Sequence, residues 1–281
     1  MMVQRVLNGA ILIALLIGAL FLPALGLFLI ISLLAVLMCC EFYGLLAEAG
    51  MKSNRVLGTI GVLLLIGVTG AGYQWQDGAR ALEWEGVALA GVVLAVMVRQ
   101  CFARDDDRPM ATIATTLLGV LYIGFLFNFY TKLLLQWPED DGRYLLFYLI
   151  LIVKVTDMFA YFTGSFLGKH KLIPRISPAK TWEGCAGGVV GGLITSLIFW
   201  AVTGGDIGPV TFTIADALIL GMVLAVTGIV GDLVESMLKR ATEVKDSGCW
   251  FKDMGGLLDI LDSLLFAAPV LYFYILLFVD S

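Results

Sequence analysis

An all-α fold, a polytopic bundle of membrane-spanning helices, is predicted by three observations. Hydrophobic residues make up 60% of the 281-residue chain and charged residues only 15%, whereas soluble domains carry about a quarter charged residues. The mean hydropathy is +0.94. The apolar residues form long unbroken runs and do not alternate, which disfavours a β-barrel. The net charge of −5 excludes little, because in such a protein the placement of the basic residues carries the information.

A helix needs about 20 apolar residues to cross the hydrocarbon core. Nine candidate spans meet that need, near 6–22, 24–40, 56–73, 86–102, 111–130, 144–167, 184–203, 213–235 and 257–279. The first has a single basic residue before it, Arg5, and no small-residue cleavage site after it. It is therefore read as a retained helix and not a signal peptide, forming a tight hairpin with the second around Pro23. Residues 1–135 are read as a scaffold of transmembrane helices. Residues 136–281 are read as a catalytic region with loops 168–183 and 236–256.

The N-terminus and the loops near 41–55, 99–110, 168–183 and 236–256 hold fourteen Lys and Arg residues, against three (Arg80, Lys132 and Arg143) in the opposite set. The positive-inside rule puts the first set in the cytoplasm. With an odd number of spans, the C-terminus lies on the other side. Trp75, Trp84 and Trp137 in the opposite loops fit interfacial anchors. Asp105, Asp106 and Asp107, flanked by Arg104 and Arg108, read as a solvated loop. The five cysteines match no zinc or redox spacing and read as small packing residues. A single histidine, His170, excludes a multi-histidine metal site.

Three clusters carry the candidate chemistry. Lys154 and Asp157 lie inside one span, where each charge costs about 2.5–3.5 kcal/mol on insertion scales. They are spaced to pair with each other, while Asp157, Tyr161, Gly164 and Gly168 form a stripe able to line a polar cavity; both readings stand. The second cluster is the basic loop at 168–188, with Lys171, Ser177, Lys180, Thr181 and Glu183. It is read as leading into a helix capped by Ser177 or Thr181. A helix N-terminus beside lysines and hydroxyls is a natural anion site, while a positive-inside topology signal that also touches anionic lipid accounts for the charge alone; both readings stand. The third is residues 231–263. Asp232, Glu235, Ser236 and Lys239 share one helix face, and Asp259, Asp262 and Ser263 repeat that spacing. Carboxylates suit a hard cation such as Mg²⁺, the basic residues Lys239, Arg240 and Lys245 suit a polyphosphate, and Gly255-Gly256 lets backbone N–H groups approach an anion. Without a Walker A motif, a Ser-His-Asp arrangement or a reactive-cysteine context, the pattern fits phosphoryl or nucleotidyl transfer by positioning and charge neutralisation.

The segment Ser236-x-x-Lys239-Arg240-x4-Lys245-Asp246-x-Gly248-x6-Gly255-Gly256-x-x-Asp259-x-x-Asp262 resembles the signature of phosphatidate cytidylyltransferases, also called CDP-diacylglycerol synthases. The upstream Asp157, Tyr161, Gly164, Gly168-Lys169-His170-Lys171 and Arg175-Ile176-Ser177-Pro178-x-Lys180-Thr181-x-Glu183-Gly184 fit as well, so the resemblance covers about the C-terminal half. It implies that CTP and phosphatidic acid give CDP-diacylglycerol and pyrophosphate with Mg²⁺ and a second, monovalent ion such as K⁺. It also implies that Asp232 and Asp259 hold metal with Asp262 close by, that Lys239, Arg240 and Lys245 steer phosphates, and that Ser177, Lys180 and Thr181 help hold lipid phosphate or nucleotide. The remaining substrate-binding candidates are Asp157, Tyr161, Lys171, Glu183, Ser236, Asp246, Gly255 and Gly256. The family commonly reads Pro-Gly-His-Gly-Gly and then Asp-Arg-x-Asp. Here Met254 stands for the histidine and Ile260 for the arginine. Expected partners are CTP, phosphatidic acid, membrane lipid and, for a bundle of this size, a second copy of the chain; nucleic acid is not among them. The expected location is a bacterial inner membrane. Two other readings compete: a CTP-dependent kinase of a polyisoprenoid or phytol-type alcohol, and a non-enzymatic transporter coupled through Lys154 and Asp157.

Overall fold

The computed structural model describes residues 18, 21–75, 78–104, 106–137, 142–242 and 256–279. Among them, eight helices are long and apolar enough to cross a membrane. They are α1 (Ala24–Glu48), α2 (Arg55–Trp75), α3 (Gly78–Cys101), α4 (Pro109–Leu135), α5 (Gly142–Leu167), α6 (Trp182–Thr203), α7 (Ile214–Ala241) and α8 (Leu257–Val279). They match the last eight expected spans; the span at 6–22 lies, apart from residues 18, 21 and 22, outside the described residues. The chain is thus a polytopic helical membrane protein. It falls into two compact units: one holds α1–α4 and the first turn of α8, the other α5, α6, α7 as far as Arg240, and α8 from Leu261.

The first unit packs around Tyr43, which is fully buried. Its hydroxyl donates to the Thr116 carbonyl at 2.9 Å. A Cβ at Gly58 or Gly119 would collide with the Tyr43 ring, so these glycines admit the ring between α1, α2 and α4. Glu85 on α3 and Lys132 on α4 are both buried and pair at 2.6 Å. Asn128 donates to Glu85 at 2.9 Å and to Thr69 at 2.8 Å. This network corrects two expectations. Lys132, expected in a loop, is inside a helix, and Trp84 and Glu85 lie on α3, which begins at Gly78 and not near residue 86. A charge with a buried partner need not end a span. Arg80 and Arg143, the other two basic residues expected in these loops, likewise fall in the first turns of α3 and α5.

The second unit is knit by small residues, which let helix backbones approach closely without a hydrophobic drive between them. A Cβ at Gly188 on α6 would lie 3.0 Å from the Ala160 Cβ and 3.1 Å from the Thr156 carbonyl on α5. One at Gly231 on α7 would lie 2.6 Å from the Asp262 carbonyl on α8. Between α5 and α6 the chain forms an antiparallel hairpin of β1 (Lys171–Ile173) and β2 (Ser177–Thr181). A second hairpin, β3 (Asp206–Ile207) with β4 (Val210–Thr211), precedes α7. Ser177 therefore starts a strand and does not cap a helix. Thr181 is the cap: its Oγ accepts from the Gly184 N–H at 3.1 Å. α7 runs to Ala241, six residues past the expected 235, so Lys239 and Arg240 occupy its last turn, where the helix dipole favours cations.

Candidate active site

In the second unit Asp157, Lys180 and Asp232 meet at one cavity of about 280 Å³. α5 contributes Asp157, Tyr161 and Gly164, β2 contributes Lys180 and Thr181, and α7 contributes Asp232. The turn periodicity of α5 puts Asp157, Tyr161 and Gly164 on one face, and the Thr181 cap fixes where β2 gives way to α6. The Lys180 ammonium is 2.7 Å from the Asp232 carboxylate, an ion pair without an aligned hydrogen bond. Lys154 pairs with Asp157 at 3.3 Å. Pairing and cavity lining, the two readings of Asp157, both hold. Asp262 is 4% exposed and lies within electrostatic reach of Asp232, Asp157 and Lys154. One of its oxygens accepts from the backbone N–H and the hydroxyl of Ser263.

The other predicted residues among those described do not line this cavity, and each has its own partners. The Ser236 hydroxyl donates to Asp232 at 3.4 Å. Lys239 pairs with the buried Glu235 at 2.7 Å. Arg240 donates to the Ile176 carbonyl in the hairpin turn at 3.2 Å, joining the end of α7 to the basic loop. Glu183 accepts from the backbone N–H groups of Lys169 and His170 and meets the His170 ring at 2.6 Å, so it latches the hairpin base. Lys171 and Ser177 lie on the hairpin strands and do not line the cavity. Asp259, one turn before Asp262, accepts from the Gly256 N–H at 3.0 Å. Lys245, Asp246 and Gly255 lie outside the described residues.

The carboxylates that line the cavity, Asp157 and Asp232, offer hard oxygen donors, and the Cys185 thiol lines it as well. Among the described residues no three His, Cys, Asp or Glu side chains close on one point as a metal cage. One or two carboxylates would hold a divalent cation such as Mg²⁺ only together with substrate phosphates and waters. Lysine ammonium groups already stand against two of the carboxylates, so the centre accommodates positive charge.

The sequence matches the cytidylyltransferase family over residues 3–278. The chain belongs to the cytidylyltransferase family. It is 36% identical to a phosphatidate cytidylyltransferase of Bacillus subtilis (strain 168), over 99% of this chain and 98% of the relative. It is 33% identical to one of Haemophilus influenzae, over 69% and 67%, and 39% identical to one of Staphylococcus aureus (strain COL), over 56% and 57%. The match extends well beyond the C-terminal half that carries the signature. Ile260, where the resemblance implies an arginine, is buried at 8% exposure; Met254 lies outside the described residues.

One residue escaped the sequence reading. Glu41 on α1, 5% exposed, accepts from the Leu257 and Leu258 N–H groups at 2.9 and 2.8 Å. It satisfies two of the N–H groups that a helix start leaves open and places a negative charge at the positive end of the dipole. Glu41 thereby fixes the start of the helix that bears Asp259 and Asp262. Its signal was available: an acidic residue in a stretch that stays apolar through Leu46 needs a buried partner.

Proposed function

We propose that this chain transfers CMP from CTP to phosphatidic acid, giving CDP-diacylglycerol and pyrophosphate. The observation that carries the reading is the meeting of Asp157, Lys180 and Asp232 at one cavity in a chain of this family. A phosphate oxygen of phosphatidic acid attacks the α-phosphorus of CTP. The bond from that phosphorus to the β-phosphate bridging oxygen breaks, and pyrophosphate leaves with the electron pair. The attacking oxygen is already anionic, so no serine, cysteine or histidine is required to generate a nucleophile, and no covalent enzyme intermediate forms.

Mg²⁺, when bound, supplies neutralisation of the charge that accumulates on the triphosphate. Asp232 and Asp262 are the residues of the second unit assigned to hold it; Asp259 keeps the assignment that the sequence signature implies. Lys180 exchanges its contact with Asp232 for a phosphate oxygen, an exchange helped by the poor alignment of the pair. Arg240 and Lys239, at the end of α7, orient the phosphates. The basic loops face the cytosol, where CTP is available, and the diacyl chains stay in the bilayer throughout.

Purified protein with Mg²⁺, phosphatidic acid and CTP labelled at the α-phosphate is expected to yield labelled lipid. The γ-label is expected in pyrophosphate. Transfer of the γ-label to a polyisoprenoid alcohol supplied in place of phosphatidic acid, with CDP released, would replace this reading with the alcohol kinase.

A further inference from the structure

A second cavity, of about 830 Å³, opens in the first unit where α1 ends and α2 begins. Lys52, Arg55, Arg99 and Arg104 line it. Its one described acidic residue, Asp106, is engaged: it accepts from the Gln100 amide and the Arg108 N–H and faces Lys52 at 3.9 Å. Arg55, Arg99 and Arg104 are exposed. None of them makes an ion pair or hydrogen bond among the described residues. The Ser53 hydroxyl is buried there without a hydrogen-bond partner.

The polar end continues into an apolar trench. Ser53, Asn54, Arg55 and Arg99 also line an adjoining cavity of about 550 Å³, whose other walls are Val56, Leu57, Ile60 and Ala95. Val56 and Ile60 are one turn apart on α2, as are Ala95 and Arg99 on α3. The trench thus runs from the guanidinium groups along the two helices. Val56 and Ile60 are 74% and 55% exposed.

A bias for basic loops on one side of a membrane asks only that arginines be present in the loops. It does not ask for guanidinium groups with no ion pair among the described residues at the mouth of an apolar groove. We infer that this is a binding site for an anionic glycerophospholipid, the phosphate held by Arg55 and Arg99 with Arg104 beside them, and one acyl chain in the trench past Val56 and Ile60. Planar guanidinium groups match phosphate oxygens in pairs, and the lipid covers apolar surface that water would otherwise meet. The site shares no residue with the Asp157–Asp232 cavity and is independent of the chemistry proposed there.

The test is native mass spectrometry of the full detergent-purified chain with equimolar dioleoylphosphatidylglycerol and dioleoylphosphatidylcholine. A basic residue near a lipid surface contributes about 1 kcal/mol, so the two arginines together predict a preference for the glycerol lipid of at least about tenfold. In Arg55→Gln/Arg99→Gln the ratio should fall towards unity, and these exposed substitutions should leave the melting temperature unchanged. Ile60→Trp, which fills the trench, should reduce phosphatidylglycerol adducts. Inorganic phosphate should displace the lipid only at far higher concentration. An unchanged ratio in the double variant overturns the site. Displacement by phosphate as readily as by lipid, or no effect of Ile60→Trp, overturns the lipid as its occupant.

Discussion

Asp232→Asn is expected to lower turnover by about 10²–10³-fold, the usual loss when a charge-organising group is removed from a transfer site, and to leave the protein folded. The reason for the split lies in burial. Asp232 and its partner Lys180 are 37% and 20% exposed, and pairs that remain in contact with water contribute about 0–1 kcal/mol to stability. Asparagine keeps the shape and can still accept from Ser236, so the helix packing at Gly231 survives. What disappears is the negative charge that pairs with Lys180 and that the proposed reaction assigns to a cation. Turnover and thermal melting measured on the same preparation separate the two effects. Turnover within a few-fold of the parent would place the chemistry elsewhere in the chain.

Lys132→Met should have the opposite profile, a large loss of stability without a direct effect on chemistry. It leaves Glu85 buried with no counter-charge, and breaking a buried pair from one side costs about 3–5 kcal/mol. The Lys132 ammonium also lies 4.1 Å from the centre of the Phe129 ring, and methionine cannot supply that attraction between a cation and an aromatic face. The double variant Lys132→Met/Glu85→Gln removes both charges, and most of the melting temperature should return. If the single variant melts with the parent, the pair is not the link between α3 and α4 described above.

Charge inside apolar sequence was the most legible feature of this chain. Asp157 and Asp232 stand out because unpaired charges in a span are costly, and both line the cavity. The same rule, applied only to span centres, missed Lys132, Glu85 and Glu41, which lie near span ends and read as loop. Their partners are 216 positions away for Glu41 and Leu257 and on a neighbouring helix for Lys132, and local periodicity carries no information about such pairings. The hairpin at 171–181 was hidden for another reason. Pro174 and Pro178 suggest a rigid loop, and only the cross-strand partners Lys171 with Thr181 and Ile173 with Ser177 make the segment a sheet. Arg55 and Arg99 were absorbed into the topology signal, and their convergence needed three dimensions.

In the proposed reaction, carboxylates of the second unit hold a divalent cation together with the phosphates of CTP. Mn²⁺, which takes oxygen ligands as Mg²⁺ does, makes this visible by electron paramagnetic resonance on the full chain in detergent. The expected result is weak Mn²⁺ binding alone, tight binding once CTP is added, and loss of that tightening in Asp232→Asn. Equal Mn²⁺ affinity in the parent and in Asp232→Asn, with CTP present in both, would contradict it.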